Sequence, residues 1–347
     1  MMPDYHFVHN RFKLNGFHLN EDDLCRIAYS FIKEGEPFER AVGDFLLDWF
    51  DRKDYIEMQT SGTTGAPKMI KVDKQAMVHS ALATGDFFEL PEEIKVLHCL
   101  PTQYVAGKMM LVRAFILGWE LDLIAPVSNP LERVTTNYDF AAMVPLQAQH
   151  SLDKLHKIKK IILGGAKVSQ SLSEELKKVP TEIYETYGMT ETITHIAAKR
   201  VGEEAFTVLP NVRISEDERH CLVIDPYVIC DEPVVTNDVV NVLDETHFIW
   251  LGRYDNVINS GGVKLFPEQI EEKLSGAIDR RFFVKGIPDE ELGEKLVLVI
   301  EGEPFGIDKR IFSELSKFEK PKEIRFIKHF AETESGKVIR DKTLQAV

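Results

Sequence analysis

The sequence lacks a hydrophobic run long enough to cross a membrane, and it has few cysteines. Its best apolar stretch, residues 109–117, is interrupted by Arg113, whereas a membrane helix needs roughly 18 or more apolar residues. Residues 1–23 have no apolar core suited to a signal peptide. The four cysteines show no CxxC spacing, which argues against a disulfide framework or a structural zinc site. We expect a cytoplasmic protein with reduced thiols and no membrane insertion.

Positively charged residues are fewer than negatively charged ones. The chain has 42 Lys and Arg against 56 Asp and Glu, a net charge of −14. Such a chain repels phosphate backbones, so we expect no nucleic-acid partner. Repeats and low-complexity segments are absent too, and 347 residues with 44% hydrophobic and 28% charged residues are typical of a globular protein of about two domains.

Helical and strand patterns alternate along much of the chain. This alternation predicts an α/β fold, with a large α/β domain built on a parallel sheet. Short strands over 211–251 predict a small antiparallel β unit attached to it. We predict a large domain over 1–254 and a small mobile α+β domain over 255–347. The helical patterns lie over 20–50, around 76–83, over 107–118 and over 171–179; the strand patterns lie over 96–101, 120–126, 159–166 and 181–188.

A loop rich in glycine and threonine is the sharpest chemical feature of the sequence. Its glycines allow the backbone to approach an anion, its hydroxyls can bond phosphate oxygens, and a lysine closes it. The glycines lie three residues apart, which differs from the Walker A spacing. We interpret it as a phosphate-binding loop rather than a flexible surface loop. Its residues are Thr60, Ser61, Gly62, Thr63, Thr64, Gly65, Ala66, Pro67 and Lys68.

This loop resembles the signature loop of the adenylate-forming superfamily, which includes acyl-CoA synthetases, luciferases and peptide-synthetase adenylation domains. Further motifs of that superfamily follow in order, so the resemblance runs from about residue 55 to 345. They are GGA at 164–166, YETYGMTE at 184–191, TND at 236–238, GRYD at 252–255, SGG at 260–262 and ESGKVIR at 334–340.

The resemblance implies ATP, Mg²⁺ and coenzyme A as cofactor and co-substrates, and a small carboxylic acid as substrate. Thr190 would bond the α-phosphate, Glu191 would hold Mg²⁺, and Lys337 would contact the substrate carboxylate and the α-phosphate as the catalytic lysine. Gly164, Gly165 and Ala166 would flank the adenine, Tyr187 before Gly188 would pack on it, and Asp238 and Arg253 would hold the ribose or a phosphate.

For the second half of the reaction, the resemblance implies a hinge at Asp255. Rotation about this hinge would withdraw Lys337 and bring the Gly261-Gly262 loop toward the thiol of coenzyme A. A homodimer is compatible with the resemblance, although the sequence does not fix the oligomeric state.

The chain departs from the family pattern in two places. Asn237 stands where the family has the glycine of TGD; asparagine tolerates the left-handed backbone better than most residues. Only 59 residues precede the phosphate loop, whereas typical members carry well over a hundred. We therefore expect an abbreviated amino-terminal region and a differently walled acyl pocket.

Arg113 is the most informative residue for the choice of acid. It lies in the otherwise apolar segment MMLVRAFILGW, and a buried guanidinium demands an anionic partner. Its place six residues after Gly107 resembles the branch of the superfamily that acts on o-succinylbenzoate in menaquinone biosynthesis, whose substrate has two carboxylates. With Arg113, Tyr104 and Gly107 are candidate substrate-binding residues. A salt bridge to Glu120 or Asp122 is the alternative.

Three other functions remain open at this point. One is a coenzyme A ligase for a different aryl or short-chain acid, and another is an adenylating enzyme that passes its acyl group to a carrier protein. The third, from a different class, is a non-catalytic paralogue that only binds a nucleotide or an acyl ligand.

Overall fold

The computed structural model describes residues 2–59, 69–230, 232–332 and 338–345. The predicted phosphate loop, Thr60–Lys68, and the predicted catalytic residue Lys337 lie outside the described residues.

The helices are α1 (Glu21–Glu34), α2 (Pro37–Trp49), α3 (Lys74–Phe87), α4 (Val105–Leu117), α5 (Pro145–His150), α6 (Gln170–Leu176), α7 (Pro267–Leu274) and α8 (Arg340–Gln345). The strands are β1 (Lys13–Leu14), β2 (Phe17–His18), β3 (Tyr55–Gln59), β4 (Met69–Asp73), β5 (Lys95–His98), β6 (Glu120–Leu123), β7 (Tyr138–Met143), β8 (Ile158–Leu163), β9 (Glu182–Gly188), β10 (His195–Arg200), β11 (Ala205–Val208), β12 (Arg213–Glu216), β13 (Cys221–Asp225), β14 (Val234–Val242), β15 (His247–Arg253), β16 (Ile258–Ser260), β17 (Val263–Leu265), β18 (Phe282–Asp289), β19 (Gly293–Glu301) and β20 (Glu323–Ile327). None of the described helices is long and apolar enough to span a bilayer.

The largest sheet has the order β12-β13-β14-β15-β11-β10-β9-β8-β7-β5-β6-β1-β2. Strands β6, β5, β7, β8 and β9 form its parallel part, and β9 to β15 continue it with antiparallel pairs. The predicted α/β fold class is therefore confirmed. The antiparallel strands that were predicted as an attached unit continue the parallel sheet through the β9–β10 hairpin.

The helical pattern predicted over 20–50 is helical in the structure, but two helices occupy this stretch, with a break that was not predicted. Asn20 caps α1: its side-chain oxygen accepts a hydrogen bond from the backbone N–H of Asp23. The carboxylate of Asp23 accepts one from the backbone N–H of Asn20, which completes a capping box. The helix ends at Gly35, and Pro37 starts α2 at the first turn, where proline loses no helical hydrogen bond. The break lets the apolar faces of α1 and α2 pack against each other.

Helix α4 lies in the core, and its burial positions the candidate acyl site. Residues 109–116 are all buried, so the helix is surrounded by protein on every side. An apolar sequence without a polar face is typical of such a buried helix. Arg113 is therefore carried into the centre of the large domain by the seven apolar residues around it.

A second sheet, β17-β16-β19-β18 with β20 parallel to β19, carries the carboxyl-terminal part of the chain. Its core includes Ile270 and Leu274 of α7, which pack against the strands. The first sheet ends at Arg253 and the second begins at Ile258, with one turn of 3-10 helix (Tyr254–Asn256) between them. This change of sheet supports the predicted domain division after residue 254, which stays a proposal.

Candidate functional site

Two of the predicted nucleotide motifs lie at the carboxyl ends of neighbouring parallel strands. Gly164 follows β8, and the Tyr187 motif ends β9. A Cβ at Gly164 would lie 2.9 Å from Thr186 Oγ1, which itself donates to the carbonyl of Leu163. Gly165 has φ +80°, a conformation suited to glycine. Ligands of α/β sheets bind at this edge.

Asp238 joins this edge to the antiparallel strands. Its side chain is buried and accepts hydrogen bonds from the hydroxyl of Tyr187 at 2.7 Å and from Nε1 of Trp250 at 3.2 Å. Nη1 of Arg253 lies 3.6 Å from the same carboxylate. Burial, and then the charge of Asp238, raise the pKa of Tyr187 above its ordinary value, so this hydroxyl keeps its proton. The structure thus brings together Tyr187, Asp238 and Arg253, which belong to three separate motifs of the sequence.

Thr190 and Glu191 lie in a turn of 3-10 helix, Thr190–Thr192, directly after β9. Gly188 is needed here, since a Cβ would lie 2.3 Å from the carbonyl oxygen of Thr194 across the hairpin. Ile193, which follows the turn, is buried with φ +65°. A β-branched residue at positive φ is strained, and such strain is concentrated at functional sites. Glu191 is exposed and its carboxylate is open to a ligand.

Mg²⁺ in nucleotide sites binds through one or two carboxylates and substrate phosphates. Glu191 meets this requirement: its carboxylate is an oxygen donor exposed at the strand-end edge that also carries Gly164 and Tyr187. The part of the chain that the structure describes has no cluster of three metal-ligating side chains, and a phosphate-bound Mg²⁺ does not need one.

Arg113 is buried to 1% exposure, as the apolar context predicted. Its Nε donates to Thr84 Oγ1 at 3.2 Å, and Nη2 lies 3.4 Å from Nδ1 of His195. The alternative of a salt bridge to Glu120 or Asp122 was wrong: Lys95 pairs with both carboxylates. Among the described residues, no carboxylate forms an ion pair with Arg113. Burial lowers its pKa to about 9, which leaves it charged at neutral pH.

His195 lies beside Arg113 and carries a buried donor that has no partner among the described residues. A guanidinium can only donate, so Nδ1 of His195 accepts and Nε2 carries the hydrogen. Nε2 is buried without a hydrogen-bond partner in the described structure. Burial, and then the nearby charge of Arg113, hold the pKa of His195 well below its ordinary value. Among the described residues, the cation thus lacks a carboxylate partner and Nε2 of the neutral histidine lacks an acceptor.

Gly107 and Tyr104, the other predicted substrate residues, lie outside the buried cluster that contains Arg113 and His195. A Cβ at Gly107 would lie 2.4 Å from the carbonyl oxygen of Pro101, so this glycine serves the packing of α4 against the preceding loop. Tyr104 is 62% exposed at the start of α4, so its ring faces solvent. Of the three, only Arg113 lies in the buried cluster with His195.

We expect Gly107→Ala to lower the free energy of unfolding by about 1–3 kcal/mol, because the methyl group must displace backbone atoms. Gly276→Ala is the matched control, since a Cβ there meets nothing within 4 Å. Urea denaturation of the two variants and the wild type measures the difference. Equal stability of the two variants would contradict the close approach at Gly107.

We expect stability to fall as the pH drops from about 6.5 to about 4. His98 is buried, and burial lowers its pKa to about 4 from 6.5. Between these pH values the unfolded chain binds a proton at His98 and the folded chain does not. The contribution of His98 to the free energy of unfolding is therefore complete above pH 6.5 and decreases by about 3 kcal/mol toward pH 4. Thermal denaturation across this window measures it. His98→Asn should flatten the dependence, whereas His18→Asn on an exposed strand should not; parallel curves for wild type and His98→Asn would contradict the assignment.

Of the predicted hinge and coenzyme A residues, Asp255 lies between the two sheets, and Gly261 and Gly262 lie within the second sheet. Asp255 is in the 3-10 turn, with its carboxylate 3.8 Å from Nη2 of Arg253. Gly261 and Gly262, at φ +59° and +81°, form the turn between β16 and β17. Nearby, Lys167 pairs with Glu272 of α7 at 2.9 Å, a contact between the first-sheet and second-sheet parts of the chain.

The sequence analysis did not assign Trp250, Thr84 or His195 to the site. Trp250 bonds Asp238, and Thr84 of α3 bonds Arg113. No motif contains Trp250 or Thr84. The signal that could have identified Trp250 is its position, two residues before the GRYD motif.

The model of the family described as AMP-binding enzyme matches residues 48–222. The chain belongs to this family. The match covers half of the chain and includes the phosphate loop, GGA and YETYGMTE motifs. The predicted resemblance to adenylate-forming enzymes is therefore confirmed.

Individual relatives are consistent with this membership. A 2-succinylbenzoate–CoA ligase of Listeria innocua is 26% identical, with 86% of this chain and 71% of the relative covered. Its counterpart in Staphylococcus aureus is 25% identical, with 98% and 76% covered. A solved acyl-CoA synthetase (AMP-forming)/AMP-acid ligase II-like protein from Dyadobacter fermentans is 36% identical, with a TM-score of 0.63 and 92% and 97% of the two chains covered.

The fold is also that of o-succinylbenzoate coenzyme A synthetase (MenE) from Bacillus subtilis, solved with ATP and magnesium ion. That structure has a TM-score of 0.70 and 21% identity, with 83% of this chain and 69% of that one covered. At this identity the similarity concerns the fold.

Proposed function

We propose that this chain is an ATP-dependent acid–coenzyme A ligase that forms an acyl-adenylate and then a thioester, with o-succinylbenzoate as its acid. The observation that carries the choice of acid is Arg113, a buried cation without a carboxylate partner among the described residues. The names of the curated relatives support the same acid. We further propose that it acts in the cytoplasm, in line with the reduced thiols predicted from its cysteines.

In the first half-reaction, a carboxylate oxygen of the acid attacks the α-phosphorus of ATP. The oxygen–phosphorus bond forms as the bond to pyrophosphate breaks. Negative charge on the phosphoryl oxygens is stabilised by preorganised donors, for which we propose the 60–68 loop, Thr190 and Lys337. Bound Mg²⁺ would neutralise phosphate charge, and Glu191 would hold it.

The adenosine half of ATP would lie between the end of β8 and Asp238. Gly164, Gly165 and Ala166 would border the adenine, and Tyr187 would pack on it. Asp238 is already oriented by Tyr187 and Trp250, so its remaining acceptor capacity is available to ribose hydroxyls. Arg253, 3.6 Å from Asp238, would contact the ribose or a phosphate.

In the second half-reaction, the thiol of coenzyme A releases its proton to solvent and its sulfur attacks the acyl carbon. The carbon–sulfur bond forms as the bond between the acyl carbon and the AMP oxygen breaks, and AMP leaves. We propose that the part of the chain after Asp255 rotates about that residue, which withdraws Lys337 and presents Gly261 and Gly262. The positive φ angles of both glycines suit a turn in which backbone approaches a ligand closely. One pocket would thus serve both steps.

Arg113 would bind the carboxylate that is not activated. A carboxylate bound beside Arg113 would give the buried cation the anionic partner that the described residues do not provide, and charge-assisted bonds of this kind are strong. A monocarboxylic acid would leave the cation without its partner, so the site selects against it.

The deciding experiment measures pyrophosphate release from ATP and Mg²⁺ with o-succinylbenzoate, with and without coenzyme A. Benzoate, octanoate and acetate serve as matched acids without the second carboxylate. Of the four acids, we expect only o-succinylbenzoate to cause pyrophosphate release. A thioester should form only when coenzyme A is added.

Each other outcome selects one of the alternatives. Release with a monocarboxylic acid would overturn the choice of acid and keep the reaction. Adenylate formation without any thioester would favour a carrier protein as acceptor. Absence of turnover with every acid, together with retained ATP binding, would favour the non-catalytic paralogue.

A further inference from the structure

Strand β14 carries a bulge toward β13 at positions 236–238, which includes Asp238. Along β13 and β14 the pairing changes from Val223 opposite Val235 to Cys221 opposite Val239. One residue of β13, position 222, therefore faces three residues of β14, positions 236–238. A bulge disrupts the ladder locally and leaves residues of the longer strand without strand partners. The proposed ribose residue, Asp238, lies in this irregular segment. On the β15 side it is paired opposite Arg253, whereas on the β13 side regular pairing is interrupted.

A side chain from the neighbouring turn fills the gap. Nη1 of Arg219 donates to Oδ1 of Asn237 at 2.8 Å, and Nη2 donates to the carbonyl oxygen of Thr236 at 3.1 Å. Asp238 closes the segment from the other side, since its backbone N–H donates to Oγ1 of Thr236 at 3.0 Å. On the β13 side of β14, the guanidinium thus takes the place of the missing strand partner.

Arg219 is itself held in place. Nε donates to Oδ2 of Asp217 at 2.8 Å, and Nη2 lies at the same distance from that oxygen. The other oxygen of Asp217 accepts from the backbone N–H groups of Arg219 and Cys221. A planar guanidinium oriented on both sides in this way is preorganised, and lysine cannot reproduce its geometry.

This arrangement explains why asparagine replaces the family's glycine at position 237. Glycine has no side-chain acceptor for Arg219, whereas the amide oxygen of Asn237 accepts its hydrogen bond. The guanidinium also lies 5.2 Å from the ring centre of Tyr254, in the turn that leads to the second sheet. Arg219 therefore connects the bulge to the proposed hinge.

We propose that Arg219, paired with Asn237, is a positioning residue that fixes Asp238 for nucleotide binding. The inference rests on the proposed function, since it takes Asp238 as a nucleotide contact. It concerns a residue outside every family motif in the sequence.

The test compares Arg219→Ala, Arg219→Lys, Asn237→Gly and the double variant Arg219→Ala/Asn237→Gly with the wild type. Arg213→Ala is the matched control, because Arg213 lies on the same hairpin and packs on Tyr227 instead. Calorimetry with ATP and Mg²⁺ gives the Kd, and pyrophosphate release gives KM for ATP and kcat separately.

We expect Arg219→Ala to weaken ATP binding about tenfold and to raise KM with kcat within twofold of the wild type. Arg219→Lys and Asn237→Gly should each lose several-fold, and the double variant should bind no more weakly than Arg219→Ala. Arg213→Ala should match the wild type. If Arg219→Ala does not fold, Arg219→Lys and Asn237→Gly carry the test.

ATP affinity equal to that of the wild type in both Arg219→Lys and Asn237→Gly would overturn this inference, as would losses in the double variant that are additive. These outcomes are separate from failure of the proposed function, which would appear as wild-type protein that binds ATP but releases no pyrophosphate with any acid.

Discussion

Replacing Arg113 with methionine should stabilise the fold while removing the preference for a dicarboxylic acid. Without bound substrate, Arg113 is a cation at 1% exposure, with a hydroxyl and a neutral histidine as its nitrogen and oxygen partners among the described residues. Burying such a charge costs free energy. Methionine is flexible enough to fill the space beside Met110. Replacement of buried ion pairs by well-packed apolar residues has stabilised proteins by about 1–4 kcal/mol, and a buried cation without an ion pair should follow the same direction.

The same change should lower kcat/KM for o-succinylbenzoate about 100-fold, because it removes a charge-assisted hydrogen bond to the substrate worth roughly 3 kcal/mol. KM for ATP should not change. Steady-state kinetics with both substrates, together with urea denaturation, measure the two effects on one protein sample.

Arg133→Met is the matched control, since the same substitution at this exposed position should change neither property. A destabilised Arg113→Met variant with unaltered kinetics for the acid would show that Arg113 is a structural residue. The combination of higher stability and lost selectivity is the signature that a binding role predicts.

Replacing Lys337 with alanine should reduce acyl-adenylate formation by about 100- to 1000-fold. The family resemblance implies that its ammonium group contacts the substrate carboxylate and the α-phosphate, where charge builds up in the transition state. Loss of one preorganised donor at such a position costs about 2.7–4 kcal/mol. Thioester formation from supplied acyl-adenylate should be unchanged, because Lys337 would have left the pocket by then.

Lys342→Ala provides the control, since Lys342 is exposed on α8 a few residues further along the chain. Pyrophosphate exchange follows the first half-reaction, and thioester yield from supplied acyl-adenylate follows the second. Equal loss of both half-reactions would contradict the proposed rotation about Asp255.

Local patterns predicted several elements of the fold, chiefly in the parallel part of the large sheet. The strand patterns at 159–166 and 181–188 correspond to β8 and β9, and the helical pattern at 107–118 corresponds to α4 within two residues at each end. The unpredicted break within 20–50 has a local cause as well, because Gly35 and Pro37 end one helix and start another. Helical periodicity on both sides of this break concealed it.

The candidate site was predictable in its residue types and less so in its contacts. Tyr187, Asp238 and Arg253 were identified from their motifs, and they converge. The partners that orient them were not identified, because Trp250 and Arg219 belong to no motif. Gly107 was assigned to the substrate, whereas its close approach to Pro101 shows a packing requirement.

The sequence by itself determined the family, the order of the motifs and the burial of Arg113, because these depend on residue type and on spacing along the chain. Only the tertiary structure decided which groups meet. Tyr187 and Asp238 are 51 positions apart, and Arg113 and His195 are 82 apart. Such contacts depend on strand order, register and a bulge in β14, which arise from the packing of the whole sheet and leave no periodic trace in any local segment.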